Sequence, residues 1–138
     1  MKHITVFFLS MLFITFGVIA EEEKEEEEKK EKVSYSYLEI KPAIVTNYGG
    51  VGKLRYFKSN ISLRVESSKI EQVSWHSPYI RSTLVSIFSR QDEEALTTRD
   101  GKAGLRQEAL EAIQMVLKEE EGEALVEDVL FTNFIIQK

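Results

Sequence analysis

The chain has no cysteine and only two prolines among its 138 residues. Without thiols there is no disulfide staple, no thiolate metal site and no lipid-modified cysteine, so the fold must rest on packing. Histidine is almost as scarce. Of the two present, His3 lies in the leader, and His76 is left alone in the rest of the chain. A Ser-His-Asp set would have only His76 to draw on, and the sequence names no partner for it, so a capping or surface role is expected there. Neither an HExxH helix nor an Asp-rich calcium loop is present. The acids are spread along helix faces, where solvation explains them, and no pair is singled out for glycoside hydrolysis. Net charge is −5, and removing residues 1–20, whose only charge is Lys2, leaves −6 for residues 21–138. That argues against a nucleic-acid partner, which requires a basic face. No catalytic, cofactor-binding or metal-binding residue is therefore assigned, and the expectation is a non-enzymatic binding or assembly module.

The most distinctive segment is Ile4–Ala20, ITVFFLSMLFITFGVIA, seventeen residues without a charge between Lys2 and the acidic Glu21-Glu22-Glu23. About 17 residues is the lower limit for spanning a bilayer. Ile4, Phe7, Phe8, Leu12, Phe13, Phe16, Val18 and Ala20 are the candidate membrane-segment residues. The same stretch fits a cleaved secretory signal ending in Val18-Ile19-Ala20. Both readings leave Lys2 in the cytoplasm and export the chain beyond Ala20. The expected organisation is a membrane anchor or signal peptide at 1–20, a charged linker at 21–34 and a folded domain at 35–138. Within the linker, Glu21–Lys32 holds eight glutamates and four lysines. Glu25/Lys29, Glu26/Lys30 and Glu28/Lys32 are i, i+4 pairs in the favourable order. The run reads as a solvated, partly helical spacer.

Periodicity then predicts the domain. Tyr35–Val45 alternates as a strand, and Pro42 within it marks an edge or a bulge. Asn47–Gly52 is rich in glycine but lacks the Gly-Lys-Ser/Thr end of a phosphate loop, so it reads as a hairpin turn. Leu54–Glu66 is a half-buried antiparallel strand, with Phe57, Ile61, Leu63 and Val65 facing one way. Ser67–Gln91 is expected to be helical. Ser77-Pro78 is a start signal, Ile80, Leu84, Ile87 and Phe88 form the buried stripe, and Arg81 is exposed. Asp92–Gly101 is a polar connection, and Thr98 caps a helix running to about Leu117, with Glu119–Glu123 as its stop. Val126–Gln137 is the last strand. Its apolar residues fall on both parities, which suggests cover on both faces or a partner subunit on one. Val129, Phe131, Phe134 and Ile136 are its candidate assembly residues. The order strand, strand, helix, helix, strand gives an α+β fold, a short antiparallel or mixed sheet with helices on one face.

Four pieces together resemble one family. They are Tyr37–Val45, Pro78–Arg81 with Leu84–Ser89, Leu96-Thr97-Thr98 with Gly101-Lys102 and Leu105-Arg106, and Val126–Gln137 with its V-x-x-V-x-F-T-x-F-x-x-Q spacing. In this order they resemble the flagellar basal-body protein FliL family. The resemblance implies a single-span inner-membrane protein with a stomatin/prohibitin-like periplasmic domain. It also implies a ring-like homo-oligomer around the stator proteins of the flagellar motor that supports rotation, swarming and chemotactic motility. No catalytic residue is implied. Two features depart from the family pattern: only Met1-Lys2-His3 precede the span, and the span is short and ends in a cleavage-like motif. The alternative reading is a soluble periplasmic binding or inhibitor domain released after Ala20.

Overall fold

The computed structural model describes residues 32–52 and 54–138. The segment at 1–20, including Ile4, Phe7, Phe8, Leu12, Phe13, Phe16, Val18 and Ala20, lies outside them, as do linker residues 21–31. The folded unit is Val33–Lys138. Its elements are β1 (Tyr35–Asn47), β2 (Tyr56–Glu66), a 3₁₀ turn (Ser67–Lys69), α1 (Ile70–Trp75), α2 (Ser77–Ser89), α3 (Glu93–Thr97), α4 (Arg99–Glu121) and β3 (Val126–Gln137). The strands form one antiparallel sheet in the order β1-β2-β3.

The expected α+β layer is present. Phe57, Ser59, Ile61, Leu63 and Val65 of β2 are all fully buried, while Lys58 and Tyr56 on the opposite parity are exposed. The helices supply Val73, Ile80, Leu84, Phe88, Leu105, Ala109 and Ile113 to the same core. The outer sheet face stays open, with Tyr37 at 61%, Val45 at 56% and Ile135 at 54% exposure. Burial on one face is thus the source of the period-two pattern in β2.

The edge strands are longer than the central one at its midpoint. Ile40 pairs with Ile61 and Ile44 with Ser59, so β1 spends four residues where β2 spends two. Pro42 sits in this bulge, where its missing N–H breaks no ladder bond. Arg81 of α2 donates to the carbonyl oxygens of Pro42 and of Ala43, the latter at 3.1 Å. Arg81 is half-buried rather than exposed, because carbonyls freed by the bulge need a donor.

Three helical expectations change. Ser67–Gln91 is not one helix but a 3₁₀ turn and two helices, and His76 rather than Ser77 stands at the N-cap of α2. His76 has near-helical backbone angles (φ −90°, ψ 7°), so α1 and α2 are almost continuous and no side-chain cap is formed. The polar connection contains α3, started by Asp92, whose Oδ1 accepts from the Ala95 N–H at 2.8 Å, and held by the fully buried Leu96. Finally, α4 runs to Glu121. Glu119–Glu121 are good helix formers, and the stop is Gly122 alone, at φ +80°. Thr98 caps α4 as expected, its Oγ1 accepting from the Gly101 N–H at 3.0 Å. The glycine turn Asn47–Gly52 joins β1 to β2, with the Tyr48 N–H donating to the Arg55 carbonyl at 3.2 Å.

Close approach between α3 and α4 falls at Gly101. A Cβ there would lie 2.6 Å from the Glu94 carbonyl oxygen and 2.7 Å from the Ala95 Cα, whereas one at Gly104 would meet nothing within 4 Å. Gly101→Ala is expected to destabilise by about 2 kcal/mol or more, since backbone must move, and Gly104→Ala to stabilise by roughly 0.5–1 kcal/mol. Urea denaturation of the two variants checks both signs.

Candidate interaction surface

The terminal strand resolves its own parity problem. Ile61 pairs with Phe131 and Asn60 with Thr132, but Lys58 then pairs with Ile135, so β3 carries one extra residue. Asn133 takes up that residue at φ +50°, a left-handed conformation asparagine tolerates. The bulge shifts the alternation by one, so Val129, Phe131, Phe134 and Ile136 all turn to the core face. Val129 is fully buried, and the other three are partly buried against the core. The expected cover on both faces is therefore corrected: one face is sewn into the core, and Leu130 and Ile135 are the apolar residues on the other.

The inward residues complete a ring of four aromatic contacts. Phe57 meets Phe88 at 5.1 Å and Phe134 at 4.6 Å between centroids, Phe88 meets Phe131 at 5.6 Å, and Phe131 meets Phe134 at 6.1 Å. The first and third are edge-to-face, the favoured arrangement for aromatic quadrupoles. Lys102 of α4 places its Nζ 4.8 Å from the Phe134 centroid. At the start of the strand, Arg106 grips Asp128 through Nε at 3.0 Å and Nη2 at 2.5 Å. Gln114 donates to the Val126 carbonyl at 2.8 Å. α4 is thus pinned along β3, and β3 leaves its outer edge and Ile135 as its free surface.

Two further ion clusters close the ends of the domain. At one end Arg55 Nη1 donates to Glu93 Oε2 at 3.0 Å, and Lys138 pairs with the other oxygen of Glu93. At the other end His76 Nε2 lies 2.5 Å from Glu121 Oε1, and Gln72 Nε2 donates to Glu121 Oε2 at 2.7 Å. His76 holds the expected cap position between α1 and α2, its backbone N–H donating to the Val73 carbonyl, but its side chain caps neither helix and is turned away from the surface. Its side chain is 13% exposed and ties the α1–α2 junction to the end of α4. Among the described residues no group of three candidate ligands is placed to hold a metal ion. None of the described helices is long and apolar enough to cross a membrane.

One surface feature is marked by no motif. Trp75, Tyr79, Tyr35, Tyr37 and Tyr56 are all exposed, Trp75 at 83%. Helical spacing puts Trp75 two residues past the buried Val73, off the apolar stripe, and that offset is the only signal of it in the sequence.

The pattern described as "Flagellar basal body-associated protein FliL" matches residues 37–137, from the third residue of β1 to the last of β3. The chain belongs to the FliL family. Among its relatives, a "Flagellar protein FliL" of Escherichia coli (strain K12) is 32% identical over 91 residues, covering 66% of this chain and 58% of that protein. A "Flagellar protein FliL" of Aquifex aeolicus (strain VF5) is 27% identical over 100 residues, covering 72% of this chain and 60% of its own length. The matched region is thus less than two thirds of either relative. The family pattern at 37–137 includes the bulged strand and the whole helical layer, so it tracks the folded unit and not one motif.

The inward turn of β3 separates neighbours sharply. Phe134→Asp should cost roughly 3 kcal/mol, because it removes the ring from its contacts with Phe57 and Phe131 and leaves a gap beneath β3. Ile135→Asp, facing solvent beside Lys58, should change stability by only about 0.5 kcal/mol. Thermal unfolding of the pair tests the bulge directly.

Acid should also weaken the fold. The hydrogen bond and charge of Lys138 hold the Glu93 carboxyl below its ordinary range, with Arg55 adding to the effect. Hydrogen bonds from His76 and Gln72 do the same for Glu121. For Asp128 burial pushes upward, but Arg106, the Val129 N–H and Arg64 together outweigh it and leave the carboxyl low. Depressed carboxylates contribute stability that is present above their unfolded pKa and lost as pH falls through the lower folded one. Urea midpoints should therefore hold from neutral pH down to about 5 and fall below it, with a shallower fall in Asp128→Asn.

Proposed function

We propose that this chain is a non-enzymatic flagellar basal-body accessory protein of the inner membrane, with its folded domain in the periplasm beside the motor's stator units. The observation that carries this reading is the family match across residues 37–137, which spans all three strands and all four helices. The apolar Ile4–Ala20 stretch, flanked by Lys2 and the glutamate run, supports a retained anchor with the domain exported. In this reading the domain is a stomatin/prohibitin-like unit that self-associates into a ring around the stators and supports rotation, swarming and chemotactic motility. Val129, Phe131, Phe134 and Ile136 act in assembly indirectly, by holding β3 in shape. The exposed Ile135 and the outer sheet face are what a neighbouring copy would meet.

A fusion of a periplasm-competent fluorescent domain to Lys138 tests this in cells with and without stator proteins. Foci at the flagellar base that require the stators, with reduced swarming on deletion, are the expected result. Diffuse periplasmic signal in both strains, with swarming intact after deletion, would overturn the motor role and favour a soluble domain released after Ala20.

A further inference from the structure

The end of the domain at which the chain enters is identifiable. The Ser67 N–H donates to the Ser34 carbonyl at 2.8 Å, and the Ser36 and Ser67 hydroxyls lie 2.8 Å apart. The same end holds the His76–Glu121 pair and the Lys69–Glu123 pair at 3.8 Å. Trp75, the single tryptophan of the chain, stands beside His76 and is 83% exposed. Ser74, next to it on α1, and Pro78, Tyr79 and Ser82 on the first turns of α2 are exposed as well. Beneath them Val73 and Ile80 are fully buried, so these residues are displayed from a fixed base. An indole with a large apolar face and one N–H donor is suited to the boundary between water and lipid.

We propose that Trp75, Pro78 and Tyr79 rest in the headgroup region of the membrane and fix how the domain sits on it. The contact depends on the anchor being retained, as in the proposed function. Residues 21–32 are all that separates the apolar stretch from Val33. Twelve residues reach about 18 Å as a helix and about 40 Å when extended, a tether short enough for this end to reach a bilayer. Charge selects the lipid. Glu71 stands one turn before Trp75, and Glu119, Glu120, Glu121 and Glu123 crowd the end of α4, outnumbering Lys32, Lys69 and Lys118. An acidic rim is repelled by an anionic surface, so the matching surface is zwitterionic.

The full chain reconstituted in phosphatidylcholine vesicles provides the test, since Trp75 is its only indole. Flotation reads whether the chain is anchored. Emission wavelength and quenching by brominated phosphatidylcholine read whether Trp75 touches lipid. The expected result is flotation, a blue shift and quenching, with a smaller effect in phosphatidylglycerol vesicles. A Trp75→Phe/Val45→Trp chain, which reports from the outer sheet face at the far end of β1, should float without quenching. Flotation with unshifted Trp75 emission that iodide still quenches would overturn the contact while leaving the anchor standing. Failure to float would overturn the anchor and the contact together. Stronger quenching in phosphatidylglycerol would overturn the charge argument.

Discussion

The fold depends on one extra residue in β3. Without the bulge at Asn133, a strand of period two could not bring both Phe131 and Phe134 to one face, since they are three apart. With it, both rings join Phe57 of the central strand and Phe88 of α2. The aromatic ring thereby links sheet and helical layer at a level where the backbone ladder is interrupted. Packing replaces there what hydrogen bonding gives up, and α4 fixes the arrangement through Arg106 on Asp128 and Lys102 on Phe134.

Both edges are interrupted opposite the same place. β1 bulges around Pro42 and β3 at Asn133, on either side of Ser59 and Asn60. Ser59 is the small, fully buried residue at this level, its hydroxyl within reach of the Asn60 and Thr132 carbonyl oxygens at 3.0 and 3.2 Å. Neither edge offers a long unbroken row of backbone donors and acceptors, a common guard against unwanted strand addition. Association by side-chain faces fits such a sheet better than strand pairing does. The outer face, with its exposed tyrosines, Val45 and Ile135, is the larger surface of that kind.

The two ends of the domain differ in character. One is closed by Glu93 between Arg55 and Lys138, near the glycine turn. The other gathers the incoming chain, the α1–α2 junction and the end of α4 around Glu121.

How much of this was legible from residues alone varies by element. The α+β class, β2 and its buried face, the buried stripe of α2 and the Thr98 cap are set by spacing, because each depends on near neighbours in the chain. Pro42 marked its bulge for the same reason, by lacking a donor. Four matched pieces in order carried the family. The bulge at Asn133, the break at His76, the short α3 around Leu96 and the bonding of Arg81 were decided only by the tertiary structure. Each answers to a residue distant in sequence: Phe57 and Phe88 for β3, Glu121 for His76, Arg55 and Lys138 on Glu93 for α3, and the Pro42 and Ala43 carbonyls for Arg81. Periodicity states which residues are apolar, but long-range packing chooses the face they turn to when one residue of slack lets a strand change its phase.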